Sequence, residues 1–102
     1  MEEVTEVIKR HGLFDLVYAK TETNTILIRY DLLPGYKLYV VHATYARGLR
    51  MFCYYVAARN PREAKSRFLE RLSWLDVIKY IHLLSEEESK RILHEPRRHI
   101  IF

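Results

Sequence analysis

Residues 7–18 read VIKRHGLFDLVY and residues 68–79 read FLERLSWLDVIK. Laid over one another, their apolar places coincide: Val7 on Phe68, Ile8 on Leu69, Leu13 on Trp74, Phe14 on Leu75, Leu16 on Val77 and Val17 on Ile78. Arg10 meets Arg71 and Asp15 meets Asp76. How the first stretch folds therefore decides whether the chain repeats itself. Val4, Val7, Ile8 and His11 stand at i, i+3, i+4 and i+7, the spacing of one helical face. That spacing predicts a helix over 2–11, closed by Gly12 as a left-handed C-terminal residue. Residues 13–20 then read as a strand. Under this reading both copies, 4–19 and 65–80, are a helix followed by a strand. The halves 1–51 and 52–102 would then be similar motifs packed together within a single domain, 1–102.

The rest of the chain has clearer punctuation. TETN at 21–24 is a polar turn, and 25–33 alternates as a strand. Pro34-Gly35 is the pair expected in a type II turn. Residues 37–46 and 51–58 add two more strands, giving four in antiparallel succession. Asn60-Pro61 combines an N-cap amide with a first-turn proline, so a helix follows, with Ala64, Phe68, Leu69 and Leu72 as its apolar stripe. Residues 74–84 fit strand or helix; a strand over 76–83 matches the first copy. Ser85 and Glu88 form a capping box for a helix ending near 94. Pro96 stops it, and RRHIIF closes the chain as a short strand. The expected class is α+β, an antiparallel sheet with helices.

These turns also sort side chains by face. A hairpin at Pro34-Gly35 would pair Tyr30 with Tyr39 and Ile28 with Val41. One face then holds Ile26, Ile28, Tyr30, Leu32, Tyr39, Val41, Ala43, Phe52, Tyr54 and Val56, an apolar set fit for the core. The other holds Leu27, Arg29, Asp31, Leu38, Val40, His42, Thr44, Met51, Cys53 and Tyr55, joined by Phe14, Leu16 and Tyr18. A solvent-facing side should be more polar than this. Leu27, Leu38, Val40, Tyr55 and Tyr18 are thus candidate partner-binding residues unless the later helices cover them. Their partner would be a protein or peptide, and a homodimer is compatible with the same surface.

Composition narrows the chemistry. The 102 residues are 49 % hydrophobic and 29 % charged, an ordinary globular balance. No apolar run is long enough to span a bilayer, and the acidic MEEVTEV start does not read as a secretory signal. The single cysteine, Cys53, sits within MFCYYV and reads as a buried, inert thiol. His11, His42, His82, His94 and His99 have neither helical ligand spacing nor cysteine companions, so no metal is expected. Glu63-Ala64-Lys65 opens a helix, where i and i+2 diverge, so it does not form an acidic-x-lysine metal pair. Glu86, Glu87 and Glu88 suit the first turn of a helix electrostatically. Three glycines build no phosphate loop, and no catalytic residue or cofactor site is expected. The chain reads as non-enzymatic.

Net charge is +4, with the signs interspersed. Eight tyrosines and eleven arginines could serve single-stranded nucleic acid, the alternative partner class. The arginines scatter, however, and Arg97-Arg98-His99 is the only compact basic group, making Arg97 and Arg98 further candidates. There is no glutamine, and Asn24 and Asn60 are the only asparagines. Depletion of thermolabile amides points to a hot habitat. A short, arginine-rich, amide-poor chain without catalytic motifs, apparently doubled, resembles the small proteins of filamentous viruses of hyperthermophilic archaea. That resemblance implies synthesis in the host cytoplasm and a binding role, and it transfers no site residue. The expected mode is a peptide added as a strand in a groove between two similar motifs, along RRHIIF or the 13–20 strand.

Overall fold

The computed structural model describes residues 3–45, 50–95 and 100–101. Along them run β1 (Thr5–His11), β2 (Phe14–Lys20), β3 (Thr25–Leu32), β4 (Lys37–Thr44), β5 (Phe52–Ala58), α1 (Pro61–Arg71), β6 (Val77–Leu83), α2 (Glu86–Leu93) and β7 (Ile100–Ile101). The class is α+β. The expected helix over 2–11 does not form, because β1 occupies 5–11. Val4, Thr5, Val7 and Ile8 are β-branched, so a helix would restrict their side chains whereas a pleated strand accommodates them. Gly12, at φ +38, is the first residue of a two-residue turn that pairs His11 with Phe14. Among the described residues only glycines have positive φ, so Leu13 does not, the arrangement of a type II′ hairpin. The first copy is strand–turn–strand and the second helix–turn–strand. Residues 4–19 and 65–80 therefore do not share the expected helix–strand motif.

The strands separate into two sheets, ordered β1-β2-β3 and β6-β4-β5-β7. Pro34-Gly35 does turn the chain, with Tyr36 N–H donating to Leu33 C=O at 3.1 Å and Gly35 at φ +89. It leads from one sheet into the other instead of closing a hairpin. Both edges of β4 are taken, by β5 and β6, so the expected Tyr30–Tyr39 and Ile28–Val41 pairs do not exist. Leu33 N–H instead donates to Leu13 C=O at 2.9 Å. The 13–20 strand is central, not a free edge.

Within the first sheet, Tyr18 faces Leu27 and Val17 faces Arg29, leaving Ile28 as the extra residue of a β-bulge. Tyr18 and Leu27 share a face as expected. Beyond the bulge the phase flips, so Leu16 and Phe14 lie opposite Tyr30 and Leu32.

In the second sheet the expected face is kept, with Tyr39 opposite Val56, Val41 opposite Tyr54 and Ala43 opposite Phe52. That face forms the main core with Ala64 and Phe68 of α1 and with Leu75. Asn60 caps α1, accepting from Glu63 N–H at 2.8 Å. Glu63 also receives Arg59 at 2.8 Å and Arg67 at 2.9 Å, which hold its carboxyl below the usual glutamate range. On the opposite face Ile92 of α2 packs on Leu38 and Ala57. Ser85 caps α2 by accepting from Glu88 N–H at 3.2 Å. β7 lies parallel to β5 at the far edge, pairing Ile100 with Tyr55.

The molecule is long, 57 × 27 × 24 Å, with a radius of gyration of 15.9 Å. A compact chain of this length would have about 13 Å. The first sheet makes the difference: it extends as an arm, touching α2 through the end of β3. None of the described helices is long and apolar enough to cross a membrane.

Candidate interaction surface

β6 is bonded to β4 on one side and forms the outer edge of its sheet on the other. Leu84 N–H donates to Leu38 C=O at 3.1 Å, which sets the phase of the β4–β6 ladder. Antiparallel alternation then turns the peptide groups of Ile81 and Leu83 away from β4. The side chains along this edge are conspicuously uncovered, Tyr80 at 54 % and Leu83 at 48 % exposure. A second register shift falls between His42 and Ala43, so Lys79 is the bulged residue near the start of the strand. A bulge carrying a lysine is a common guard against unwanted edge pairing. The bulge leaves the Tyr80–Leu83 stretch regular.

That stretch runs directly into a cleft of about 590 Å³ between the ends of β3 and β6, the start of β4 and α2. Leu32, Leu38, Leu83, Leu84 and Leu93 give it an apolar lining, and Tyr36, Lys37, Glu86, Ser89 and Lys90 add polar groups. The size is that of a pocket for one or two large side chains or a small ligand. The cleft exists because α2, held by its Ser85 cap, crosses only one end of the sheet.

On the uncovered remainder of that face the β4–β6 register assembles His42, Tyr80 and His82, with Cys53 across from His42. The His42 and Tyr80 rings are 4.3 Å apart by centroid, and His42 and His82 5.5 Å. Cys53 Sγ lies 3.2 Å from His42 Nδ1. Burial first, and the nearby His82 second, push the His42 pKa below the usual histidine value. Cys53 is exposed, not buried as its sequence context suggested. Among the described residues no three His, Cys, Asp or Glu side chains are placed to hold a metal ion.

The residues singled out from sequence do not form one site. Leu27 and Tyr18 pair on the arm, whereas Leu38, Val40 and Tyr55 belong to the second sheet. Leu38 and Val40 are buried and Tyr55 half-buried, with α2 covering the Leu38 end, so the chain's own helix does part of the work assigned to a partner. Arg97 and Arg98 lie outside the described residues. The residues that sequence reading missed, Tyr80, His82, Leu83 and Leu93, come from a strand and a helix that were both recognised. What was lacking was the knowledge that β6 is an edge. Comparison with protein-family models, curated sequences and solved structures finds no match.

Proposed function

We propose that this is a non-enzymatic protein-interaction chain that binds an extended segment of a protein partner by strand addition to β6. The observation that carries the reading is the continuity between a free, regular edge and an apolar cleft. Main-chain hydrogen bonds to Ile81 and Leu83 would supply affinity. A leucine- or phenylalanine-sized side chain in the cleft would supply selectivity. Lys37 and Lys90, without ion-pair partners among the described residues, favour an acidic residue beside that anchor.

A second reading, single-stranded nucleic acid stacked on Tyr80, His42 and His82, is favoured by those ring contacts. Its phosphate-binding side is weaker, because Arg10, Arg29, Arg59 and Arg67 are each already held by a carboxylate.

Selection from a displayed library of extended peptides tests the first reading. Leu83→Pro removes one outward N–H at an edge position where proline is tolerated, and Ser89→Trp fills the cleft. Each should weaken selected peptides at least tenfold, with little dependence on salt. Recovery of no peptide, or of peptides indifferent to both changes, would sink the reading. Oligonucleotide binding that falls steeply with salt and is lost in Tyr80→Ala would establish the second.

A further inference from the structure

We infer that the cleft between the β1–β2 turn and α1 binds an organic phosphate monoester, held by Arg67, Arg71 and His11. The cleft measures about 530 Å³ and shares no lining residue with the one beside β6. Its walls come from two parts of the fold. Arg67 and Arg71 stand at i and i+4 on α1, on one side of the helix. His11 ends β1, and the tight turn at Gly12-Leu13 sets it beside Phe14, with 5.5 Å between ring centroids. Among the described residues no acidic side chain lines the cleft.

The two guanidiniums differ in what they have left to give. Arg67 donates Nε–H and one Nη2 hydrogen to Glu63 Oε1, at 3.1 and 2.9 Å. A guanidinium has five N–H donors, so Nη1 is left for a ligand. Glu63 is also gripped by Arg59 at 2.8 Å, which fixes the Arg67 fork before anything binds and lowers the ordering cost. Arg71 has no ion-pair partner among the described residues. The helix dipole favours a cation in the last turn of α1, where Arg71 stands. That accounts for neither Arg67 nor the histidine across the cleft.

Charge selects the ligand. The Arg59–Glu63–Arg67 group carries one net positive charge, and Arg71 adds a second. Glu70, the other acid of α1, is exposed outside the cleft, and Arg10 neutralises Asp15 at 3.0 Å. A phosphate monoester, at close to two negative charges near neutral pH, meets both positive charges, whereas a carboxylate meets one. Its oxygens also match the guanidinium fork. Leu13, Phe14 and Ile100 make the rest of the lining apolar. A cleft of this size takes a small organic molecule, so the phosphate should carry an apolar body that lies against these side chains.

Titration of the isotope-labelled chain with phenyl phosphate, followed by amide NMR shifts at about pH 7.5 and fixed ionic strength, tests this. Shifts should cluster at residues 11–14 and 67–71, with a Kd of about 1 mM or below for about eleven non-hydrogen atoms. Phenyl sulfate, of similar shape but one charge fewer, should bind at least tenfold more weakly. Arg71→Gln, and independently Arg67→Gln, should each weaken phenyl phosphate at least tenfold while far-ultraviolet circular dichroism stays unchanged. Arg62→Gln, on the same helix but outside the cleft, should leave binding intact. A phosphotyrosine peptide separates the sources of the ligand: tighter binding than phenyl phosphate assigns it to a modified protein, and equal binding to a small metabolite. The proposal is overturned by the absence of saturable shifts at these residues up to about 10 mM. Sulfate bound as tightly as phosphate, affinity that survives Arg71→Gln, or affinity lost in Arg62→Gln would overturn it equally.

Discussion

Arg29 on β3 reaches over β2 to Glu6 on β1, with 3.2 Å between Nη1 and Oε1, and Val17 on the strand between them is fully buried. Arg29 also holds Asp31 at 3.1 Å. The long side chains serve as a roof: their aliphatic stems exclude water from the valine while the charged ends stay wet. Packing, not charge, should then dominate. Val17→Ala should cost about 2 kcal/mol in urea unfolding of the dilute chain. Arg29→Met, which keeps a stem and deletes the charge, should cost less and respond little to salt. An Arg29→Met loss exceeding that of Val17→Ala would show the ion pairs to be the main support.

Among the described residues Phe68 is the largest fully buried side chain, set between α1 and the Tyr39–Val41–Val56 face. Its ring lies 5.8 Å from that of Tyr54. Phe68→Ala should cost about 3–5 kcal/mol, and Asn60→Ala, which removes only the α1 cap, about 1 kcal/mol. Thermal melts of both variants check the ratio. An equal shift for the two would mean that α1 is held by its cap and not by its buried face.

The parts of the fold that were legible share a trait: their signals are local. Asn60-Pro61 and Ser85 with Glu88 locate α1 and α2 because capping is settled within one turn of chain. The shared face of β4 and β5 was readable because one phase alone puts Tyr39, Val41 and Val56 together, whereas a slip by two residues keeps that phase and left the register open. The first ten residues misled for a physical reason. Over so short a window Val4, Val7, Ile8 and His11 satisfy helical spacing, while β-branching favours a strand. His-Gly-Leu-Phe, with glycine at the first turn position, was the signal that could have settled it. The bulge at Ile28 and the split at Pro34 were out of reach, the first because it depends on how β2 and β3 pair and the second because it depends on which strands β4 accepts as neighbours. For the same reason the meeting of His42 with His82, on strands far apart in sequence, could not be read from spacing.

Cys53 offers a direct check on the outer face of the second sheet. In sequence it sits among apolar residues, but it is on the side that α2 leaves open, with His42 as its polar neighbour. Ellman's reagent should label one thiol per chain in the native state, within minutes and without denaturant. A thiol that reacts only after unfolding would mean that this face is covered.

His42 gives that face a pH dependence whose sign follows from its surroundings. Cys53 on β5 and Tyr80 and His82 on β6 face it, and partial burial together with His82 disfavours its charged form. Its folded pKa is lowered, so as pH falls the unfolded chain takes up the proton first. The contribution to stability is therefore full above the ordinary histidine value, about 6.5, and is lost as pH drops from there through the lowered value. Glu63, held low by Arg59 and Arg67, adds its own loss only in stronger acid. Tm should decline as pH falls below about 6.5. His42→Gln should flatten that decline, and His82→Gln should reduce it by less, because the neighbouring imidazole is the smaller of the two causes. Melts of the three proteins at half-unit pH steps provide the comparison. A slope unchanged in His42→Gln, or a larger effect from His82→Gln, would show that another group titrates in its place.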